Sequence, residues 1–533
     1  RVHGKTLHKT RSLGTIMRSV LMVASENGAL VKGKVGGIGD VIRDVPQYLI
    51  KEGVGVDVIT PNYGFLSEYN HVISECVLDV PFGGLYETVR LVKVVKPNAE
   101  GYTNWLLDHP AFICDSRNGI YSDDDEQGPF AFDATKFALF CSAVCTLLKD
   151  YWQERVDVIH LHDWHAALVA VLRTYDPAFN VLQEYRCVYT IHNLAIQGIR
   201  PFTGSSSALS TWFPNLNYHK EFIADPVYSE CFNPVRAAIN LADIVHTVSP
   251  NYANEITEPS DSKKGFYGGE NLHSDLQSAK AAKRLIGIIN GCNDKHENDT
   301  TQLNWSSFYK EANTTIQHWT SQQREVLSSH YIADKRIQAW RSQQCTGPVI
   351  TSVGRLTPQK YALLLNRTEQ GQALSRILDI LSEYDGRLII VGSGEHSIED
   401  QLCRLMGQFD NLLFLNGYSE LLPKYLYYLG DLFLMPSSFE PCGISQMLAM
   451  REGQPCLVHQ IGGLADTVEH FETGFCFSGS NADEQSDNLV NLFAEVLAVY
   501  KTNNKLWQQV GLNAKSRQFS WSTSVLRYID ELY

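Results

Sequence analysis

Short apolar segments that end in glycine or in polar residues recur along the chain, and this recurrence constrains the fold more than any other feature. The first segment, SVLMVAS at 19–25, is followed by the glycine-rich turn KVGGIGDV at 34–41 and by a helical pattern to about Glu52. A second apolar segment follows at 54–60. A strand, a glycine loop, a helix and a second strand in this order predict a βαβ unit and therefore a parallel sheet.

Later segments of the same kind predict two separate sheets. Strands that carry His, Asn or Ser near their carboxyl ends are predicted at 156–162, 187–193, 243–250 and 285–292. Further strands that lead into loops are predicted at 347–356, 387–395, 411–418, 431–443 and 454–463. Because ligands of open parallel sheets bind outside the carboxyl ends of the strands, two such sheets predict a ligand-binding cleft between them. This organisation by itself fits both a two-domain transferase and a two-domain binding protein.

The chain is therefore predicted to be an α/β protein with two Rossmann-like, doubly wound parallel-sheet domains that face a central cleft. The expected parts, in chain order, are a basic tail at 1–18, a first domain at 19–295, a polar connection at 296–345, a second domain at 346–515 and a final helix at 516–533. The connection is expected to contain helix at roughly 320–342, and the final helix is expected to return to the first domain.

The charge balance and the cysteines argue against several classes of protein. The chain has 533 residues and a formal net charge of −14, which repels phosphate backbones, so we expect no nucleic-acid partner. Its 12 cysteines show no paired spacing, which favours reduced thiols in the cytoplasm over a zinc site or a disulfide framework. No continuous apolar run reaches the ~18 residues of a membrane span, so no membrane partner is expected. A plastid is the alternative location if the basic segment at 1–18 is the remnant of a transit peptide.

The turn KVGGIGD is a candidate phosphate site. Gly36, Gly37 and Gly39 permit a tight turn and a close approach of the backbone, and the following helix offers free N–H groups at its positive end. Lys34 adds a positive charge beside the turn. Glycines in such a turn can also serve only the packing of a helix on a strand, so the loop alone leaves both roles open.

Histidines follow two of the strands in the first half. The segment HLHDWHAA at 160–167 contains three histidines and Asp163, but its spacing matches no zinc motif, so the polar wall of a sugar site is preferred over a metal site. His192 in the segment TIHN also lies at a strand end. For His192 alone, a structural role and a ligand-binding role both stay open.

Two cations and a carboxylate follow strands in the second half. Arg355 and Lys360 lie in one predicted loop, GRLTPQK, where they are suited to a diphosphate leaving group, with a solvated loop as the alternative. Glu440 in SFEPCG is placed to accept hydrogen bonds from sugar hydroxyls. The turn GGLADTV at 462–468 opens a predicted helix and is a second candidate anion site.

Taken together, these segments resemble the glycogen and starch synthase family. The family motifs K-x-G-G-L, H-x-H-D-W-H and H-N-L-A-Y-Q-G correspond to Lys34–Ile38, His160–His165 and His192–Gly198. The motif T-V-S-P-x-Y-A-x-E-I corresponds to 247–256, while GRLTPQK, FEPCGISQMLAM and IGGLADTV match the family almost letter for letter. The motifs occur in the family's order over 19–533, so the resemblance covers nearly the whole chain.

The resemblance implies a GT-B fold and a retaining glycosyltransferase that needs no metal or other cofactor. It implies transfer of glucose from ADP-glucose to the non-reducing end of an α-1,4-glucan, which is a glycogen- or starch-like polymer or a maltooligosaccharide. Closure of the cleft on the donor is expected, because donor ligands are implied on both domains. The sequence does not indicate an oligomeric state.

The resemblance also implies roles for individual residues. Arg355 and Lys360 would stabilise the donor diphosphate. Glu440 would hold the donor glucose near its reacting carbon, and His192 would lie beside that glucose. The residues implied at the donor and its nucleotide are Lys34, Gly36, Gly37, Asp40, Tyr418 (against the base), Gly443, Ile444, Gly463, Leu464 and Thr467. The residues implied as support of the sugar pocket are Asp163, Asn193 and Asn290.

The chain departs from the family pattern at four positions. Tyr361 replaces the glycine after Q-K, and Glu452 replaces the tyrosine of A-M-R-Y-G. The N-G-I-D of the family reads NGCND here, so its aspartate is either displaced or replaced by Asn293, and Ile196 replaces the tyrosine in H-N-L-A-Y-Q-G. Tyr361 keeps open the alternative of a catalytically weak paralogue that binds glucan. A second alternative is an enzyme that uses UDP-glucose or another acceptor, as in sucrose synthesis.

Overall fold

The computed structural model describes residues 18–95, 101–114, 116, 119–122, 128, 130–153, 155–292 and 303–533. Most of the basic tail and Asn293 therefore lie outside the described residues. The strands are β1 (Ser19–Val23), β2 (Gly55–Pro61), β3 (Val72–Phe82), β4 (Leu85–Val94), β5 (Thr103–Asp108), β6 (Val158–His162), β7 (Arg186–Ile191), β8 (Arg200–Pro201), β9 (Cys231–Phe232), β10 (Ile244–Thr247), β11 (Leu285–Gly287), β12 (Val349–Val353), β13 (Arg367–Thr368), β14 (Gly371–Gln372), β15 (Arg387–Gly392), β16 (Leu412–Asn416), β17 (Leu432–Met435), β18 (Cys456–His459) and β19 (Gly474–Phe477).

Helices connect most of the parallel strands. They are α1 (Gly37–Lys51), α2 (Leu66–Tyr69), α3 (Ala131–Asp150), α4 (Asp163–Ala166), α5 (Leu168–Tyr175), α6 (Leu209–Trp212), α7 (Lys220–Ile223), α8 (Pro234–Leu241), α9 (Pro250–Glu255), α10 (His273–Ala281), α11 (Trp305–Ser321), α12 (Ser328–Arg341), α13 (Pro358–Leu365), α14 (Ala373–Ser382), α15 (His396–Gln408), α16 (Leu422–Leu429), α17 (Ser445–Arg451), α18 (Gly462–Thr467), α19 (Ala482–Thr502), α20 (Asn504–Ser516) and α21 (Trp521–Arg527). Short 3₁₀ helices lie at Pro110–Phe112, Pro177–Glu184 and Ser262–Lys264.

The first sheet has nine strands in the order β11-β10-β7-β6-β1-β2-β5-β4-β3. Its central strand β1 is parallel to both neighbours, with Val20 beside Val56 and Val158. Helices cover both faces of such a strand, which explains why its side chains after Ser19 are all buried. The carboxyl ends of β1, β6, β7 and β10 therefore lie along one edge of the sheet.

The second sheet has six strands, all parallel, in the order β16-β15-β12-β17-β18-β19. The order reverses at β12, so the loops after β12 and β17 diverge from adjacent positions on the sheet edge. Ligand sites of doubly wound sheets lie at such a point of reversal. Arg355 follows β12 and Glu440 follows β17, so both lie at this point.

Strands are confirmed in all the segments predicted to contain them, with most ends shorter by one to a few residues. Strands β3 and β4 are among those that were not predicted; β3 pairs antiparallel with β4, and β4 pairs antiparallel with β5, at the edge of the first sheet. Exposed residues are interspersed among the buried ones in both strands, because one face of the sheet here is open to solvent. A search for continuous apolar runs does not detect such strands.

The end of the chain packs against the first sheet. Trp521 and Tyr528 share a core cluster with Val20 and Ile42. The backbone continues this contact, because the N–H of Cys292 donates to the carbonyl of Phe519 at 2.8 Å. The last turn, Tyr528–Leu532, is a π-helix. The terminal segment thus covers the face of the first sheet that α1 also covers.

Helices α11 and α12 lie within the polar stretch expected to connect the domains. Their apolar side chains, among them Phe308 and Trp340, join the core of the second sheet. The helix expected at roughly 320–342 is confirmed as α12. It begins at Ser328, because residues 322–327 between α11 and α12 are not helical.

Helix α3 alone, among the described residues, is long and apolar enough to cross a membrane. In the structure, 89% of an apolar 18-residue stretch of this helix is buried inside the protein. It packs against β3 and α5 and forms part of the core of the first domain.

Candidate functional site

The first glycine loop is held by a carboxylate that the sequence reading did not single out. Glu26, three residues after β1, accepts the N–H groups of Val35 and Gly36 at 2.8 and 2.6 Å. The hydroxyl of Tyr121 donates to the other oxygen of Glu26 at 2.7 Å. Two N–H groups of the candidate phosphate loop therefore already have an acceptor. Gly37 begins α1, and the N–H groups of that first turn remain for an anion.

The predicted residues Lys34 and Asp40 bind each other. The Nζ of Lys34 lies 2.6 Å from Oδ1 of Asp40, which also pairs with Arg43 at 3.1 Å. Lys34 is partly exposed, so its ammonium can exchange this partner for a phosphate. Asp40 lies in the first turn of α1, where a carboxylate is stabilised by the helix dipole.

Arg355 of the second domain faces this loop across the cleft. A β-carbon placed on Gly36 would lie 3.7 Å from Nη2 of Arg355 and 3.5 Å from Oε1 of Glu26. Within the described parts of the chain, Arg355 forms no ion pair. Arg355 is exposed, so the donors of its guanidinium are accessible to a ligand.

Lys360 and Glu440 form an ion pair on the floor of the cleft. The Nζ of Lys360 lies 3.0 Å from Oε2 of Glu440, and the Ser437 hydroxyl donates to the same oxygen at 3.1 Å. Glu440 is buried, with 7% of its surface exposed. The loop predicted at 354–360 is partly wrong, because Lys360 lies in the first turn of α13. Pro358 favours that helix start, since its fixed φ is helical and it has no N–H to satisfy.

Tyr361 does not disturb this pair. It lies inside α13, buried in the core of the second domain, and its backbone is not in the left-handed region. A glycine's conformational freedom is therefore not needed at this position. The other departures within the described residues lie apart from the pair: Glu452 follows α17 beside Arg451, and Ile196 is an exposed side chain in the loop after β7.

His192 is half-buried and ends a row of imidazoles in the first domain, of which His160 and His162 are fully buried. Its Nε2 lies 2.9 Å from Nδ1 of His162, which stacks on His160 with ring centroids 4.3 Å apart. Burial lowers the pKa values of His160 and His192 to about 3. Both are therefore neutral near pH 7. A neutral imidazole has one donor and one acceptor, so His192 can hydrogen-bond a sugar but does not supply a positive charge.

Asp163 supports His192 through the backbone. It is the first residue of α4, has a positive φ of 56°, and accepts the N–H of His192 at 2.7 Å. Burial raises the pKa of Asp163 to about 7, although hydrogen bonds from the backbone of His192 and Asn193 oppose this rise. Asn193 accepts the N–H of Ala195 at 3.0 Å. These contacts shape the loop that carries His192.

Asn290 follows β11 and is buried. Among the described residues, its Oδ1 has no hydrogen-bond partner. Since a buried amide oxygen without a partner is costly, this atom is available to a ligand hydroxyl.

The second glycine turn braces the backbone of Glu440. The N–H of Gly463 donates to the Glu440 carbonyl at 3.0 Å. Gly462 has a φ of +46°, and a β-carbon there would lie 1.8 Å from the same carbonyl, so only glycine fits. Leu464 and Thr467 are fully buried, and the Thr467 hydroxyl donates to the carbonyl of Gly463. The turn does open a helix, α18, but the N–H of Gly462 donates to Glu255 of the first domain at 2.8 Å.

Gly443, Ile444 and Tyr418 are the remaining predicted donor residues. Gly443 adopts a φ of +77° just before α17, and Ile444 caps that helix as a half-buried residue. Tyr418 follows β16 with 66% of its surface exposed, and its carbonyl accepts the indole N–H of Trp319 at 3.1 Å. An open ring at this place is suited to stack on a nucleotide base.

The structure thus brings Lys360, Glu440 and Gly463 into one connected group and places Arg355 against Gly36 and Glu26. His192 lies in the first domain and Glu440 in the second, and no hydrogen bond among the described residues joins them. Ser249 and Glu255 also reach the site from the first domain, and the sequence reading missed both. Among the described residues, no group of three or more His, Cys, Asp or Glu side chains could hold a metal ion.

Comparison with known proteins bears directly on this two-domain site. Residues 19–278 match the family described as starch synthase catalytic domain, and residues 335–507 match glycosyl transferases group 1. A glycogen synthase of Desulfitobacterium hafniense is 30% identical over 93% of this chain and 95% of its own length. The chain belongs to the glycogen and starch synthase family of glycosyltransferases. A glycogen synthase of Streptococcus equi subsp. zooepidemicus is 31% identical over 96% of this chain and 98% of its own.

Solved structures agree with this family assignment. The catalytic domain of starch synthase IV from Arabidopsis thaliana, bound to ADP and acarbose, is 26% identical, with a TM-score of 0.73 over 97% of this chain and 99% of that one. A sucrose-phosphate synthase from Thermosynechococcus elongatus has a TM-score of 0.53 at 15% identity over 97% and 98% of the two chains, which bears on the fold alone. The fold of this family member is GT-B, and the protein is a glycosyltransferase.

Proposed function

We propose that this glycogen and starch synthase family member transfers glucose from ADP-glucose to the non-reducing end of an α-1,4-glucan, with retention of the α configuration. The observation that carries the proposal is the Lys360–Glu440 pair at 3.0 Å, at the point of strand reversal in the second sheet. The structural relative bound to ADP and acarbose supports both the nucleotide and the glucan. The relatives named glycogen synthase support the polymer product.

The leaving group determines what the cations do. When the bond between the glucose and the diphosphate breaks, negative charge grows on the phosphate oxygens. Arg355, which has no ion-pair partner among the described residues, and Lys360 supply positive charge at that point. Fixed charges in a closed cleft need no reorganisation during the reaction, so each contributes about 3 kcal/mol of transition-state stabilisation. Because two cations already fill this role, we propose that transfer needs no metal or other cofactor.

The carboxylate and the imidazole bind the sugar. Glu440 is acceptor-only when ionised, and its place beside Lys360 suits hydrogen bonds from glucose hydroxyls near the reacting carbon. His192, neutral at pH 7, adds a hydrogen bond from the opposite wall. The acceptor's 4-hydroxyl attacks from the face that the diphosphate leaves, and a leaving phosphate oxygen takes its proton. This course retains the α configuration without a covalent intermediate on Glu440.

The alternative of a weak, binding-only paralogue loses its main support. It depended on Tyr361, which is buried inside α13 and leaves Lys360 in contact with Glu440. The twelve cysteines, all free, support the cytoplasmic location that we include in the proposal.

Analysis of the product tests the proposal. The protein is incubated with glycogen and either ADP-glucose or UDP-glucose, and anomeric proton NMR and chain-length analysis follow. We expect longer chains with new α-1,4 linkages from ADP-glucose, and much less product from UDP-glucose. A β-linked product would contradict retention, and equal use of both donors would contradict the nucleotide. Release of free glucose without chain growth would contradict transfer to a glucan.

A further inference from the structure

Four hydrogen bonds join the two domains beside Glu440. In the first domain they involve residues 249–255, which include α9. In the second domain they involve Pro441 and residues 462–466, which lie in α18. Glu255 accepts the N–H of Gly462 at 2.8 Å, and Asp466 accepts the N–H of Asn251 at 2.8 Å. Each carboxylate thus binds the first turn of the helix in the other domain. The contact is reciprocal.

The other two bonds complete this set. The side-chain amide of Asn251 donates to the Gly462 carbonyl at 3.2 Å, and to Glu255 itself at 2.9 Å within α9. The hydroxyl of Ser249, fully buried, donates to the carbonyl of Pro441 at 2.7 Å. Each polar group named in this set therefore has a partner, which is what a specific interface needs.

The contact leads directly to the backbone of Glu440. Glu255 holds Gly462, and the next residue, Gly463, donates its N–H to the Glu440 carbonyl at 3.0 Å. Ser249 holds the following carbonyl, that of Pro441, at 2.7 Å. Two consecutive carbonyls are thus fixed, one by the first domain directly and one through the turn that Glu255 holds.

We propose that Glu255, with Asn251 and Asp466, forms an interdomain clasp that positions Glu440 for glucosyl transfer. The inference rests on the function proposed above. The four bonds join different domains, so a movement that separates α9 from α18 breaks them. Breaking the clasp shifts the protein toward open forms in which Glu440 and His192 no longer face the same sugar. Glu255, Asn251 and Asp466 are positioning residues, since none of them needs to touch the substrate.

A positioning role predicts a particular change in kinetics. Arg355 and Lys360 still bind the donor when the clasp is broken, so the KM for ADP-glucose changes little. The reacting groups lose their alignment, so kcat falls. A role only in folding would lower the melting temperature and the amount of active protein without this split.

The chain offers a conservative variant and a matched control. Glu255→Gln keeps a carbonyl oxygen that can accept the N–H of Gly462, whereas Glu255→Ala removes it. Asn254, the preceding residue of α9, is exposed and binds Lys280 of the same domain at 2.8 Å. Asn254→Ala therefore changes the same helix without touching the interdomain contact.

The experiment measures kcat, KM and melting temperature for the full chain and these variants, and the radius of gyration by small-angle scattering with saturating ADP. We expect Glu255→Ala to lose at least about tenfold in kcat, with KM within about threefold of the parent and a larger radius of gyration. Glu255→Gln and Asn254→Ala are expected to resemble the parent. If Glu255→Ala does not fold, Asp466→Ala removes the other carboxylate and serves instead.

Two results would overturn the clasp. One is a kcat and radius of gyration for Glu255→Ala equal to those of Asn254→Ala. The other is a Glu255→Gln variant as impaired as Glu255→Ala, which would show that accepting the Gly462 N–H is not what matters. If the parent protein transfers no sugar at all, the proposed function fails, and the scattering comparison still decides whether the clasp holds the domains together.

Discussion

At the residue scale, the two cations are the parts of the site whose removal has the most direct consequence. Arg355→Ala and Lys360→Ala are each expected to lower kcat by roughly 10²- to 10³-fold, because each removes a fixed charge from the leaving diphosphate. The measurement is steady-state release of ADP in the presence of glycogen. Lys515→Ala, an exposed lysine of the same domain, is the control and is expected to match the parent.

A loss of less than about threefold in both Arg355→Ala and Lys360→Ala would contradict this account of the leaving group. Melting curves accompany the kinetics, because Lys360→Ala leaves the buried carboxylate of Glu440 without its cation.

Asp163 gives a prediction on pH. Burial raises its pKa to about 7 in the folded protein, whereas an unfolded chain has a value near the usual one for aspartate. The folded state therefore binds the proton more tightly, and this contribution to stability is present at low pH and lost as pH rises to about 7. Asp163→Asn removes the titration while its amide oxygen can still accept the His192 N–H.

We therefore expect the stability of Asp163→Asn, relative to the parent, to increase as pH rises from about 4 to about 7, by at most about 1.4 kcal/mol for each pH unit. Urea unfolding of both proteins across this range measures it. A difference in unfolding free energy that stays constant with pH would show that Asp163 does not titrate there.

At this scale, the sequence predicted candidate side chains but not their partners. Lys360 and Glu440 were each predicted at the donor, yet nothing in a sequence shows that they lie 3.0 Å apart. Glu26 and Tyr121 were missed, because a carboxylate after a strand and an isolated tyrosine are common features that only the fold brings together. The contact between Glu255 and Gly462 joins residues 207 positions apart. Of these two residues, only Gly462 lay in a segment that was predicted to be a binding site, the turn GGLADTV.

At the scale of elements, the terminal helix α21 contributes to the stability of the first domain. Trp521 is fully buried against the sheet, so Trp521→Ala leaves a large cavity and is expected to cost about 3–5 kcal/mol of unfolding free energy. Leu526→Ala changes the same helix at a side chain with 49% of its surface exposed, and is expected to cost within about 0.5 kcal/mol. Denaturant unfolding measures both.

Equal destabilisation by Trp521→Ala and Leu526→Ala would contradict the packing of α21 on the first sheet.

The elements also show what periodicity detects. Buried parallel strands such as β1 and β15 are continuous apolar runs, and the prediction found them. Strands β3 and β4, at one end of the first sheet, mix polar with apolar residues, and they were not predicted. Lys360 was predicted to lie in the loop GRLTPQK. In the structure that loop ends at Thr357, and Pro358 begins α13, which contains Lys360.

At the scale of the whole molecule, we expect the cleft to close on the donor, because candidate site residues lie on both domains. Addition of ADP is expected to increase the protection of the backbone amides of Asn251 and Gly462 from hydrogen exchange, because both donate across the cleft. Amides of β15, in the core of the second sheet, are the internal control and are expected to exchange equally slowly with and without ADP.

Unchanged exchange at Asn251 and Gly462 on saturation with ADP would contradict ligand-dependent closure.

The central claim is that glucosyl transfer takes place at the Lys360–Glu440 pair of a glycogen and starch synthase family enzyme. The most direct test is glycogen-dependent release of ADP from ADP-glucose by the parent protein and by Glu440→Ala and Glu440→Gln, with matched melting curves. The account predicts turnover by the parent and a loss of at least about a hundredfold in both variants, which remain folded. Turnover by the variants at the parent's rate, or no turnover by the folded parent with ADP-glucose and glycogen, would contradict it.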